Sequence, residues 1–182
     1  MDAVFTELKR AAGTLHLLAP YQHTPLEVVP GFVAFCGENL SEGARVVEVG
    51  SGDARLLIEV ARRAPVTRLE GFEVDEEALS AAREALGLAP DVEKRIEVYG
   101  EDVMESSSVD WKEVTFLFMY LTVAGMARLW PFFCSRLQPG TKLVSIQFRI
   151  PGVDAVQSST SKYTDLRGQE ISFTFYLYET PS

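Results

Sequence analysis

The chain has 182 residues, 47% hydrophobic and 24% charged, a length that suits one domain burying roughly 70% of its unfolded surface. Seventeen basic against 26 acidic residues give a net charge of −9, which argues against a nucleic-acid partner, since that affinity needs clustered Lys and Arg, and favours a basic one. Cys36 and Cys134 lie in apolar stretches and read as core thiols, which excludes a disulfide scaffold and a Cys-rich zinc site.

The N-terminus carries Asp2 and Glu7 beside Lys9 and Arg10, with no apolar stretch behind a basic start. That predicts no secretory leader and a cytoplasmic protein, with the mitochondrion as the alternative. Val4, Leu8, Leu15 and Leu18 recur at helical spacing, so residues 2–18 read as an amphipathic helix ended by Pro20. Thr24-Pro25-Leu26-Glu27 has the form of a capping box and predicts a second helix from Pro25, kinked by Pro30.

From residue 45 strands and helices alternate. Residues 45–49 are a short β-branched run, followed by Gly50-Ser51-Gly52 and an apolar-periodic helix through Arg63. Residues 68–73 read as the second strand and 76–86 as a helix whose Glu76, Glu77 and Glu84 form a solvated face. Residues 96–99 and 114–120 make strands three and four, the latter apolar on both faces like a central parallel strand. The longest uncharged run, 114–127, is too short for the ~20 residues of a membrane span, so no integral membrane protein is expected.

Met126, Leu129, Trp130, Phe133 and Leu137 then mark a helix face that Pro131 interrupts or kinks, and 143–148 give strand five. Ile171, Phe173, Phe175 and Leu177 alternate with Ser172, Thr174, Tyr176 and Tyr178, joined through Leu166-Arg167-Gly168-Gln169 to a strand near 161–165. The expected fold is α/β: a doubly wound, Rossmann-like sheet of about seven strands, mostly parallel with a C-terminal antiparallel hairpin. It is read as a single domain over 1–182, with N-terminal helices in 1–40 and the α/β core in 44–182.

The chemistry concentrates at strand ends. Val46-Val47-Glu48-Val49-Gly50-Ser51-Gly52-Asp53-Ala54 spans the first strand-to-helix junction, where Gly50 and Gly52 permit a tight turn and close backbone approach to a ligand. A dinucleotide fingerprint fails because the sixth position from Gly50 is Arg55, and no Walker A Gly-Lys-Ser/Thr follows. Glu48, two positions before the first glycine, suits a cofactor bearing an ammonium group, which points to S-adenosylmethionine. Glu73 ends the second strand and can accept from both ribose hydroxyls, while Asp75 is read as the N-cap of the helix after it. Asp102, past the third strand, is placed to accept from an adenine amine, with Val103 packing on the ring.

These signals resemble the class I S-adenosylmethionine-dependent methyltransferases. Pro20-Tyr21-Gln22-His23-Thr24-Pro25, Glu48 to Arg55, Gly71-Phe72-Glu73-Val74-Asp75, Pro139-Gly140-Thr141 and Tyr176-Leu177-Tyr178 narrow the resemblance. They are similar to the lysine methyltransferases of ATP synthase c-subunit and adenine nucleotide translocase, with their bacterial relatives. The resemblance runs from about Pro20 to Tyr178. It implies that Glu48, Gly50, Gly52 and Asp53 line the methionine end of the cofactor, with Glu73 at the ribose and Asp102 at the adenine. It also implies that Tyr21 and Thr24 close over the cofactor. Two departures stand out: Ala54 replaces a third glycine, and Met119-Tyr120-Leu121-Thr122-Val123 lacks a proline that relatives tend to carry.

Tyr21 and Tyr120 are the residues expected to orient an acceptor amine, through a hydroxyl or an aromatic face. His16 reads as structural, His23 as a possible acceptor or cofactor contact, and the pair lacks a ligand pattern, so no metal is expected. The function that follows is a protein-lysine N-methyltransferase acting on an accessible lysine, its oligomeric state open. The alternatives are a small-molecule methyltransferase, an inactive cofactor-binding scaffold and, least favoured, a nicotinamide oxidoreductase.

Overall fold

The computed structural model describes residues 23–181. Its elements run α1 (Val29–Asn39), β1 (Ala44–Val49), α2 (Arg55–Arg63), β2 (Val66–Phe72), α3 (Glu76–Gly87), β3 (Ile96–Tyr99), β4 (Phe116–Met119), α4 (Val123–Arg136), β5 (Lys142–Ile146), β6 (Gln157–Thr164) and β7 (Glu170–Glu179). The seven strands form one sheet in the order β3-β2-β1-β4-β5-β7-β6. β1 to β5 pair in parallel, and β7 runs antiparallel between β5 and β6. No helix among the described residues is long and apolar enough to cross a membrane.

The alternation of side chains explains why the central strands are apolar throughout. Val46, Phe116, Phe118, Val144 and Ile146 face one layer with α1, α2 and part of α3, while Val47, Val49, Leu117, Met119 and Leu143 face the other with α4. Strands buried on both faces carry no polar half. The polar exceptions are Glu48 on β1, Ser145 on β5 and Glu70 on β2; the last is fully buried, and Arg45 grips it at 2.8 and 2.9 Å and Arg68 at 3.1 Å. A buried carboxylate is tolerable because guanidinium partners satisfy it.

Three local expectations change. α1 begins at Val29 rather than Pro25: residues 25–28 form a turn in which the Val28 amide donates to the Pro25 carbonyl at 3.0 Å. The N-cap is Val28 without a side-chain cap, and Pro30 lies in the first turn, where it removes no helical hydrogen bond. Pro131 does not interrupt α4, which is continuous from Val123 and capped by Thr122 Oγ1 accepting from the Gly125 amide at 3.1 Å. β5 stops at Ile146, short of Phe148, because Gln147 adopts φ +70°.

The strand order reverses between β1 and β4, and a crevice opens outside the carboxyl ends of strands at such a switch point. The β6–β7 hairpin overhangs that edge. Ile146 of β5 pairs with Phe175, whereas β6 stays paired to β7 back to Glu170, an extension of roughly 17 Å. Its turn is fixed by Asp165 Oδ1, which accepts from the Arg167 and Gln169 amides at 2.9 and 2.8 Å.

Candidate active site

The chain turns at once on leaving β1. Gly50, Gly52 and Ala54 all take positive φ, at +73°, +54° and +61°, a region open to glycine and costly for alanine. Ala54 stands at the N-cap of α2 in this conformation, which accounts for a glycine at this place in the proteins the motif resembles. The loop is tied to the end of β2: the Gly50 and Ser51 amides both donate to the Phe72 carbonyl at 2.9 Å. Gly71 marks the closest passage, since a Cβ there would stand 2.7 Å from both Ser51 Oγ and Leu57 Cδ1.

Three acidic residues, Glu48, Asp53 and Glu73, flank this turn, and a fourth, Asp102, follows β3. Glu48 is buried and its Oε2 has no hydrogen-bond partner. Burial, then the charges of Asp53 and Glu73, push its carboxyl well above the usual range. Glu73, also buried, is a clasp: Oε2 accepts from the Gly52 amide at 2.9 Å and Oε1 from the Val74 and Asp75 amides at 2.8 and 2.9 Å. Asp53 is half-buried, and although burial alone would raise its carboxyl, the hydrogen bonds and charge of Arg55, with His23, hold it below the ordinary value. Asp102 is half-buried in the turn after β3, where Oδ1 accepts from the Met104 amide at 2.9 Å. Val103 lies inside the core layer and is 3% exposed, so little of its side chain remains to cover a ring. Asp75 caps α3 as read, accepting from the Ala78 amide at 2.9 Å.

Arg55 organises the approach to this loop, a role not legible in the sequence, where it breaks a dinucleotide motif and ends the run Glu48 to Arg55 of the resemblance. It chelates Asp53, with Nε 2.9 Å from Oδ1 and Nη2 2.6 Å from Oδ2. It also donates through Nη1 to the Thr24 carbonyl at 3.0 Å and lies 2.7 Å from His23 Nδ1. Buried Thr24 and exposed His23 are thereby held beside the glycine turn. Tyr21, His16 and the helix expected over 2–18 lie outside the described residues.

On the other side of the switch point, Tyr120 follows β4 and is half-buried. Burial, then the neighbouring Tyr163, keep its phenol above the ordinary value, so it stays protonated at neutral pH. Phe148 stacks with it at 6.4 Å between centroids, and Phe173 meets it edge-on at 5.9 Å. The sequence pattern makes Phe148 the last residue of strand five, but the turn at Gln147 makes it part of this edge instead.

A family model described as the ANTKMT methyltransferase domain matches residues 48–157. A protein-lysine N-methyltransferase of Saccharolobus islandicus (strain REY15A) is 30% identical over 135 residues, covering 73% of this chain and 79% of the relative. Among solved structures, an RNA methyltransferase from Salinibacter ruber in complex with S-adenosyl-L-homocysteine superposes with a TM-score of 0.72 at 27% identity, covering 88% of this chain and 95% of that one. A precorrin-6y C5,15-methyltransferase from Geobacter metallireducens GS-15 shares the fold at 15% identity, with a TM-score of 0.67 over 90% of this chain and 92% of its own.

Proposed function

The chain belongs to the ANTKMT methyltransferase domain family and is an S-adenosylmethionine-dependent methyltransferase; from that premise we propose that its acceptor is the side-chain amine of a lysine in another protein. The observation that carries the acceptor is the 30% identity to a protein-lysine N-methyltransferase across 79% of that relative. The net charge of −9 agrees with it, since an acidic surface suits a basic partner and repels a polyphosphate one.

The residues present fit the cofactor. Glu48 has a buried carboxylate oxygen without a partner at the glycine turn, the chemistry an α-ammonium requires. In this reading Glu48, Gly50, Gly52 and Asp53 take the methionine end, and Thr24, buried beside Arg55, borders its carboxylate. Glu73 receives the ribose; its carboxylate already accepts three backbone amides, so it arrives rigid, with about one acceptor position left. Asp102 receives the adenine amine through the oxygen not used by Met104, and Val103 contributes a narrow apolar edge.

When bound, S-adenosylmethionine supplies a methyl group on a cationic sulfonium for in-line displacement. The protein's part is alignment and exclusion of water. A lysine amine at an ordinary pKa of ~10.4 must lose its proton first, and desolvation beside a cation favours the neutral form. Tyr120, protonated at neutral pH, orients the amine by its hydroxyl or ring face and takes no proton as a base. Tyr21 is assigned the same work from the N-terminal side.

A second reading, methylation of RNA, is favoured by the 27% identity to the Salinibacter ruber RNA methyltransferase. One assay separates them: a methylation-poor lysate of the source organism is incubated with methyl-labelled S-adenosylmethionine and wild-type protein or Glu73→Ala. The expected result is a ribonuclease-resistant protein band, absent with Glu73→Ala, that yields methyl-lysine on hydrolysis. Label lost to ribonuclease, or found only in small molecules, overturns the lysine acceptor.

A further inference from the structure

Phe148 is a large aromatic side chain left 40% exposed at the carboxyl edge of the sheet, and the backbone is bent at a cost to hold it there. β5 pairs regularly with β7 as far as Ile146. Gln147 then takes φ +70°, and the Phe148 amide donates to the Ile146 carbonyl at 2.9 Å. That is a γ-turn of the rare, strained hand. Strain of this kind persists only where surrounding structure over-determines it, and it gathers at functional sites.

The over-determination is visible. The Gln147 amide donates to the Thr174 carbonyl at 2.7 Å, and Gln147 Oε1 accepts from the Thr174 amide at 3.2 Å, so a side chain replaces the main-chain carbonyl in the ladder. The buried Ser145 hydroxyl donates to the Phe148 carbonyl. Phe148 is thus fixed on both its backbone sides, and its ring lies nearly parallel to that of Tyr120, at 23°. A continued strand would not need the turn.

We propose that Phe148 is a specificity-determining residue for the acceptor, forming with Tyr120 a continuous aromatic wall against which the alkyl stem and ammonium of the incoming lysine lie. The assignment rests on the lysine reading above and deepens it. Ring faces attract a cation within about 6 Å of the centroid, and neither ring is charged, so the wall favours an alkylammonium over a phosphate. Because Phe148 touches neither the glycine turn nor the carboxylates through any hydrogen bond, its loss acts on the acceptor and leaves the cofactor site intact.

The test uses protein saturated with S-adenosylhomocysteine and titrated with Nα-acetyl-lysine methylamide, followed by the ring-proton shifts of Tyr120. The variants are Phe148→Ala, Phe148→Leu and Phe148→Trp. Wild type and Phe148→Trp are expected to bind alike, while Ala and Leu bind about fivefold or more weakly, with melting temperature and S-adenosylhomocysteine Kd unchanged. The norleucine analogue, which keeps the stem without the ammonium, should bind all four equally weakly. Unchanged binding in Phe148→Ala, or equal rescue by Leu and Trp, overturns the assignment. The labelled-lysate assay reports separately on the lysine reading: loss of lysine label in the wild type defeats that reading, whereas loss of the aromatic requirement defeats this one.

Discussion

Glu48 is acidic, buried and has a carboxylate oxygen without a hydrogen-bond partner, and that combination has a pH signature. Its carboxyl titrates well above the usual range because burial, then Asp53 and Glu73, disfavour the charge. As pH rises past the ordinary carboxylate value of about 4.3, the unfolded chain gives up this proton while the folded protein keeps it, so stability falls with pH until the folded group ionises. Glu48→Gln removes that slope and should raise the melting temperature of the ligand-free protein above about pH 5. Binding of S-adenosylhomocysteine brings an ammonium to the same oxygen and should expel the proton at any pH below the raised titration point. Calorimetry in two buffers of different protonation enthalpy reads this directly. Proton release is expected for wild type and none for Glu48→Gln, which should also bind about tenfold more weakly. Equal release by both would remove Glu48 from the ammonium site.

The elements show which parts of the structure local chemistry could announce. The carboxylates at strand ends were legible because turn geometry and charge sit within a few adjacent residues, as in 48–54 and 71–75. The boundaries that failed depend on distant partners. Thr24 reads as a cap, yet its carbonyl is held by Arg55, and the helix starts at Val29. Phe148 continues an apolar strand pattern, but Gln147 bends the chain against Thr174 on β7. Gly71 opens one of the motifs that carry the resemblance, but only the fold gives the reason for a glycine there: Ser51 and Leu57 cross it where a side chain would stand. Gly71→Ala therefore forces the glycine turn away from β2 and should cost about 1–3 kcal/mol, measured by chemical denaturation, with weaker S-adenosylhomocysteine binding. An unchanged stability and Kd would mean that the turn can shift freely.

At the scale of the whole molecule, the doubly wound sheet and its closing hairpin could be read from the alternation of strand and helix and from the strict period-two pattern of 171–178. The pairing order could not, because nothing local says that β7 lies between β5 and β6. That order matters while the protein is being made. β5 acquires a strand neighbour on that side only when the chain has been extended through Glu179, and β6, synthesised earlier, has no strand to pair with until then. A stop after Thr164 would thus remove an interior strand and leave β5 with a bare, apolar edge, the kind that recruits other chains. Such a truncated product should elute as aggregate on size exclusion, where the full chain gives a discrete peak. The strand that closes the sheet is made after both strands it joins, so the facing edges of β5 and β6 must wait unpaired until β7 is inserted between them.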